Sequence, residues 1–158
     1  MNLELEPAPV ADLDAKQRLR IWIRLLKLSR RIESEIRERL RVEFATTLPR
    51  FDVLAALYRK GEGMKMSELS EALMVSNGNV TGIIERLVQD GLVVRIPVEG
   101  DRRAMQVRLT EDGRKSFAEM AEVHEGWVNS MLGSLDDEDA ARLLALLGDV
   151  SINGRKVI

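Results

Sequence analysis

The sequence predicts a mainly helical chain with one small two-stranded β element. Three observations predict it. Apolar residues recur every three or four positions from residue 12 to residue 44, with no Gly or Pro among them, which is the period of an amphipathic helix. Residues 67 to 90 read as two short helices parted by a cap-rich turn, Val75-Ser76-Asn77-Gly78-Asn79. Directly after them, residues 92–97 and 104–109 are rich in β-branched and apolar residues and enclose a turn glycine, Gly100, as the two arms of a hairpin do.

The elements follow in chain order. Residues 1–10 contain Pro7 and Pro9 and read as an arm. The first helix carries Ile21, Leu25, Leu28, Ile32, Ile36 and Leu40 on one stripe. At roughly nine turns it is longer than the average globular helix, which implies that it reaches past its own core to a partner. Leu19, Trp22, Ile23 and Leu26 widen the stripe in its first half. Thr47 caps a second helix with Pro49 in its first turn, running to residue 60 and stopped at Gly61-Glu62-Gly63. Ser67 is the expected cap of a third helix carrying Leu69, Leu73 and Met74. Ser76 caps a fourth, ended at Asp90 by Gly91. Pro97 cannot donate to a ladder, so it belongs on an edge or at the loop margin. The polar stretch of residues 98–103 forms the loop between the strands. Thr110-Glu111-Asp112 opens a long fifth helix to about residue 133, with acids where the helix dipole favours them. Ser134-Leu135-Asp136-Asp137 is a capping-box-like start, with Ser134 as the cap, for a last helix through Leu147. The tail after Asp149 stays ambiguous.

Composition limits the function classes. The chain has 158 residues, of which 45% are hydrophobic and 32% charged; that is one domain able to bury a core without staples. There is no Cys and one His, which excludes disulfides, thiol chemistry and Cys-ligated zinc, and no metal site is expected. The acidic, Pro-containing start is unlike a signal peptide and no run suits a membrane span, so a cytoplasmic location is expected. Net charge is −2, yet residues 15–41 hold ten Lys/Arg against three Glu, and residues 111–139 hold two against nine acids. Such segregation fits opposed surfaces, or a basic helix lying against an acidic one.

Helix, turn, helix and hairpin in that order form the layout of a winged helix–turn–helix, whose second helix enters the DNA major groove. At 100° per residue Val80, Ile83, Ile84, Leu87 and Val88 face inward. Asn77 and Gly78, at the start of that helix, and Asn79, Thr81, Gly82, Glu85 and Arg86 face outward. Asn pairs with adenine, Thr reaches a base or a thymine methyl, and Arg86 suits phosphate or guanine. A capped turn alone also explains Asn77, Gly78 and Asn79. Glycines at 78 and 82, however, each cost an exposed helix ~1 kcal/mol against Ala, which a plain bundle has no reason to bear. Glu85 is the awkward member, since it repels phosphates unless it meets an Arg or a cytosine. On the hairpin loop Arg102 and Arg103 suit a minor groove or the backbone, with Asp101 bracing the tip.

The run Gly91-Leu92-Val93, Arg95, Asp101-x-Arg103 and Leu109-Thr110-x-x-Gly113, with Leu69-Ser70-x-x-Leu73 and Val80-Thr81-x-x-Ile84-x-x-Leu87 before it, resembles the MarR family of transcription regulators over essentially the whole chain. The resemblance implies a winged helix–turn–helix lobe over residues 48–110 and a homodimer built by the helices of residues 11–45 and 111–158, within a single unit of residues 1–158. It also implies that Asp101 braces the lobe and Arg103 reaches the minor groove. The partners expected are double-stranded DNA, a second copy, and a small-molecule effector, with no cofactor and no membrane. The family commonly binds small aromatic anions, for which Arg18, Trp22, Phe51, His124 and Trp127 are the candidates. Each also has a plain structural reading, as an ion-paired Arg, a semi-buried His or interface aromatics. The strings Ser76-Asn-Gly-Asn-Val-Thr-Gly82 and His124-Glu-Gly-Trp-Val128 further resemble a branch controlling aromatic-acid catabolism. Some members of that branch answer to CoA thioesters, which would place CoA phosphates on Arg30 and Arg31. Enzyme motifs are absent: Gly61-x-Gly63 lacks the third glycine of a dinucleotide loop, and His124-Glu125 lacks a second His. The alternative is a winged-helix module for docking proteins, without DNA activity.

Overall fold

The computed structural model describes residues 14–73 and 76–156; the side chains of Asn77 and Arg102 lie outside that description. The chain divides into residues 1–35 and 36–158. The first unit, where described, is the leading part of helix α1 (Ala15–Phe44). Leu19, Ile21, Trp22, Ile23, Leu25 and Leu28 are all exposed there.

The second unit takes the rest of α1, where Ile36 and Leu40 are buried, and continues through α2 (Leu48–Lys60), β1 (Met64–Lys65), α3 (Met66–Leu73), α4 (Asn77–Gln89), β2 (Val93–Val98), β3 (Asp101–Leu109), α5 (Glu111–Met131), α6 (Asp137–Asp149), β4 (Ser151–Ile152) and β5 (Arg155–Lys156). Its fully buried side chains are Leu40, Val53, Leu54, Leu57, Leu69, Val80, Ile84, Leu87 and Val107. They come from α1, α2, α3, α4 and β3, so the core lies where the helical pair meets the sheet. Each large aliphatic side chain among them contributes about 1.5–3 kcal/mol by leaving water.

Local chemistry sets the boundaries. The Thr47 hydroxyl accepts from the Arg50 N–H (3.4 Å), and Ser76 does the same for Asn79 (3.4 Å). Gly61 closes α2 at φ 72°. After α4 the Gly91 N–H bonds the Val88 carbonyl and the Leu92 N–H bonds Leu87, both at 3.0 Å, with Gly91 at φ 73°, a Schellman-type stop.

Three boundaries differ from the sequence reading. Helix α3 starts at Met66, and its N-terminal device is the Glu68 carboxylate accepting from the Lys65 N–H (2.8 Å), so Ser67 sits inside the helix. Asp136, accepting from the Asp139 N–H (2.8 Å), caps α6 in place of Ser134, because an ionised acceptor is the stronger cap for a helix dipole. Residues 101–103 belong to β3 rather than to a loop, since only Glu99 and Gly100, at φ 82°, turn the chain.

The sheet also has a third strand. Its order is β1-β3-β2, all antiparallel, with Met64 opposite Val107 and Val93 opposite Leu109. Pro97 lies on the edge strand β2, opposite Met105, and the register shifts between Pro97 and Val98. The tail left open by the sequence forms a second hairpin, Ser151 opposite Lys156 and Ile152 opposite Arg155. Its turn is Asn153-Gly154, both at positive φ (53° and 76°), as a two-residue hairpin turn demands.

One knot holds the hairpin's base. The Thr110 N–H donates to the Leu92 carbonyl (3.1 Å). The Thr110 hydroxyl donates to the Gly91 carbonyl (2.7 Å) and accepts from the Gly113 N–H (2.9 Å). A Cβ at Gly113 would collide with the Leu92 carbonyl, so only glycine lets α5 start this close to the strand.

Candidate nucleic-acid interface

Helix α4 is held by three fully buried residues, Val80, Ile84 and Leu87, with Ile83 half-buried. Val88, expected to face inward, is 39% exposed. Gly78, Asn79, Thr81, Gly82, Glu85, Arg86 and Gln89 are exposed. The outward face is therefore the polar one expected, with Gln89 added at its far end. A Cβ placed on Gly78 or Gly82 would meet no atom within 4 Å. Among the described residues, no neighbour crowds either position so as to require glycine.

A cleft of about 660 Å³ opens along this face, lined by Gly78, Asn79, Gly82, Ile83 and Arg86 of α4 and by Arg37, Thr47, Pro49 and Arg50. The last four come from α1, from α2 and from the turn between them. The pattern along α4 could not signal them, because they reach the site by folding. Arg50 is held by Asp90 at 3.8 Å. Three guanidiniums around a pair of glycines give the cleft a surface suited to a polyanion.

At the wing, Asp101 Oδ1 accepts from the Arg103 backbone N–H (3.0 Å). The Asp101 carboxylate thus shapes the tip through the backbone, and the Arg103 side chain is exposed. The backbone of Arg102 lies in β3; its side chain and that of Asn77, both named as DNA contacts from the sequence, are outside the described residues.

The effector candidates separate. Arg18 and Trp22, like Arg30 and Arg31, are exposed on residues 1–35. Phe51, His124 and Trp127 meet on residues 36–158. His124 lies 4.8 Å from the Phe51 ring and 6.4 Å from Trp127. Phe51 packs on Phe117 at 5.4 Å, and Trp127 on Phe44 at 6.1 Å with the Arg39 guanidinium over it at 5.8 Å. Phe51 and Trp127 are buried, so their faces are spent on core packing. His124 is half-buried. Burial pushes its imidazole below the ordinary pKa of 6.5, and the Asp52 charge pulls weakly the other way. No His/Asp/Glu group suited to a metal and no membrane-crossing helix occur among the described residues.

Comparison with known proteins agrees with this geometry. A family model described as MarR family matches residues 46–105. The chain is 31% identical over 149 residues to the transcriptional activatory protein BadR of Rhodopseudomonas palustris, covering 91% of this chain and 85% of that protein. It is 36% identical over 102 residues to the regulator PecS of Dickeya dadantii, but spans only 61% of PecS and 63% of itself in doing so. Among solved structures, a mutant MarR of E. coli complexed with operator DNA superposes with TM-score 0.70 at 26% identity, covering 85% of this chain and 96% of that one. BpsR of Bordetella bronchiseptica, whose DNA binding is regulated by 6-hydroxynicotinic acid, gives 0.69 at 27% identity, covering 81% and 96%. PecS and BadR are named as regulators of transcription rather than as enzymes. The order of elements, the polar outward face of α4 and the braced hairpin together place the chain in the MarR family of winged-helix transcriptional regulators.

Proposed function

We propose that the chain is a cytoplasmic homodimer that reads a palindromic DNA operator with α4 and the β2–β3 wing, represses from it, and is released by a small aromatic anion or its CoA thioester. The observation that carries the reading is the outward face of α4, where two glycines with open space above them stand among Asn79, Thr81 and Arg86. The E. coli MarR structure with operator DNA supports DNA as the partner. A second copy suits the apolar residues left in water. Leu144 and Leu146 of α6 are 72% and 62% exposed, Ile152 is 61% exposed, and Leu19 and Trp22 of α1 exceed half. Two heads one helical turn apart, ~34 Å, match a palindrome. The regulation of BpsR by 6-hydroxynicotinic acid supports an aromatic acid as effector, and the polar candidates for it are His124 on residues 36–158 and, separately, Arg18, Arg30 and Arg31 on residues 1–35. BadR is named as an activator, so repression is the part of this reading that operator position decides.

The test is selection of genomic fragments by the purified protein. Enrichment of a few palindromic sites is expected. Arg103→Ala should weaken binding to every sequence and lower the slope of log K against log salt by about one contact, near 0.9. No enrichment, with or without an aromatic acid, would move the chain to the protein-docking reading.

A further inference from the structure

Glu85 is the one acid on the outward face of α4. Its carboxylate makes no hydrogen bond or ion pair with any described residue. A free acid facing a polyanion is costly, so its place calls for a partner that the phosphate backbone does not provide.

The wheel of α4 says where it stands. The buried residues Val80, Ile84 and Leu87 define the inward pole. At 100° per residue, Gly78, Gly82 and Gln89 fall within about 30° of the opposite pole and Glu85 about 45° from it. The first two have no side chain. Glu85 is therefore the first group along that line able to reach outward, and the bare glycines before it let the helix lie close to whatever it faces. Arg86 and Asn79 stand on one flank and Thr81 on the other.

An ionised carboxylate only accepts hydrogen bonds. In the major groove guanine offers acceptors, and adenine offers a donor beside an acceptor. Thymine offers an acceptor and a methyl, and cytosine alone offers a donor, its N4 amine, with no acceptor of its own on that edge. We infer that Glu85 is a specificity-determining residue that fixes a cytosine at one position of each operator half-site, by accepting from the N4 amine. The inference rests on the DNA-reading role proposed for α4. The acid raises the cost of binding any DNA and recovers it only on cytosine, so it lowers non-specific affinity as it sharpens choice.

The experiment is selection from a randomised duplex library with the full-length protein, the Glu85→Ala variant and the Glu85→Gln variant. Each variant is first checked for an unchanged melting curve. The wild-type protein should hold one cytosine per half-site by about tenfold or more over other bases. Glu85→Ala should lose preference there alone and bind random duplex more tightly. Glu85→Gln should move the preference to adenine, which glutamine can pair in bidentate fashion. If Glu85→Ala keeps the same cytosine, or changes total affinity with every position unaltered, Glu85 only repels phosphate and the inference is overturned while the DNA-reading role stands. A wild-type protein that selects no sequence overturns both.

Discussion

Glycine is used in opposite ways at two places in this molecule. At Gly113 the chain is crowded: a Cβ there would strike the Leu92 carbonyl, and the N–H is taken by Thr110. The fold itself explains the residue. At Gly78 and Gly82 the space is empty, the helix is weakened by ~1 kcal/mol for each, and no contact among the described residues justifies either. The first glycine serves packing that is already made. In the proposed function the other two serve an approach that the isolated chain does not make, on a surface whose composition opposes its own helix.

That contrast breaks or sharpens under substitution. The largest effect belongs to Gly113→Ala, which should cost about 3 kcal/mol or prevent folding, seen as a large drop in melting temperature. A native-like melting curve would mean that α5 can move away from the strand, and the contrast would fail. Gly82→Ala should do the reverse: the melting temperature rises by about 3 °C while operator affinity falls about tenfold. A variant that is both more stable and equally tight would show that the open space stays open in the complex. The smallest effect is on pH. The folded protein holds His124 below its ordinary pKa, so the fold favours the neutral ring. Stability from this group is then complete above about pH 6.5 and lost as pH falls through the lowered folded value. Urea midpoints should decline on that acid side, and His124→Gln should flatten the decline.

The same contrast explains what is legible in the sequence. Thr47, Ser76 and Thr110 cap α2, α4 and α5 as expected, because a cap is an interaction between residues three apart. The outward set of α4 is legible for the same reason. Strand β1 is not: it is two residues long and exists through its pairing with β3, some forty positions away. Arg37 and Arg50 join the cleft by folding. Val88 departs from its expected burial because the period marks its angle on the wheel but not how far the neighbours extend. The C-terminal hairpin is a different case. Asn153-Gly154 is a strong local turn signal, but the arms beside it are too short to show the alternation of a strand.

The knot at Thr110 has a mechanical meaning. It binds the turn leaving α4, the residue that follows the wing's returning strand and the start of α5 through three hydrogen bonds of 2.7 to 3.1 Å. The end of α4 is thus tied directly to the start of α5, and in the proposed function the reading helix is a tooth fixed at its base to the shaft of α5. A signal that shifts α5 would then carry the tooth along rather than change which bases it recognises. In the homodimer proposed above, such a signal would change the distance between two teeth. A shift of a few ångströms takes one of them off a ~34 Å repeat while every contact surface keeps its shape. Under that proposal, sensitivity to operator spacing, rather than to operator bases, is the property this joint would build in.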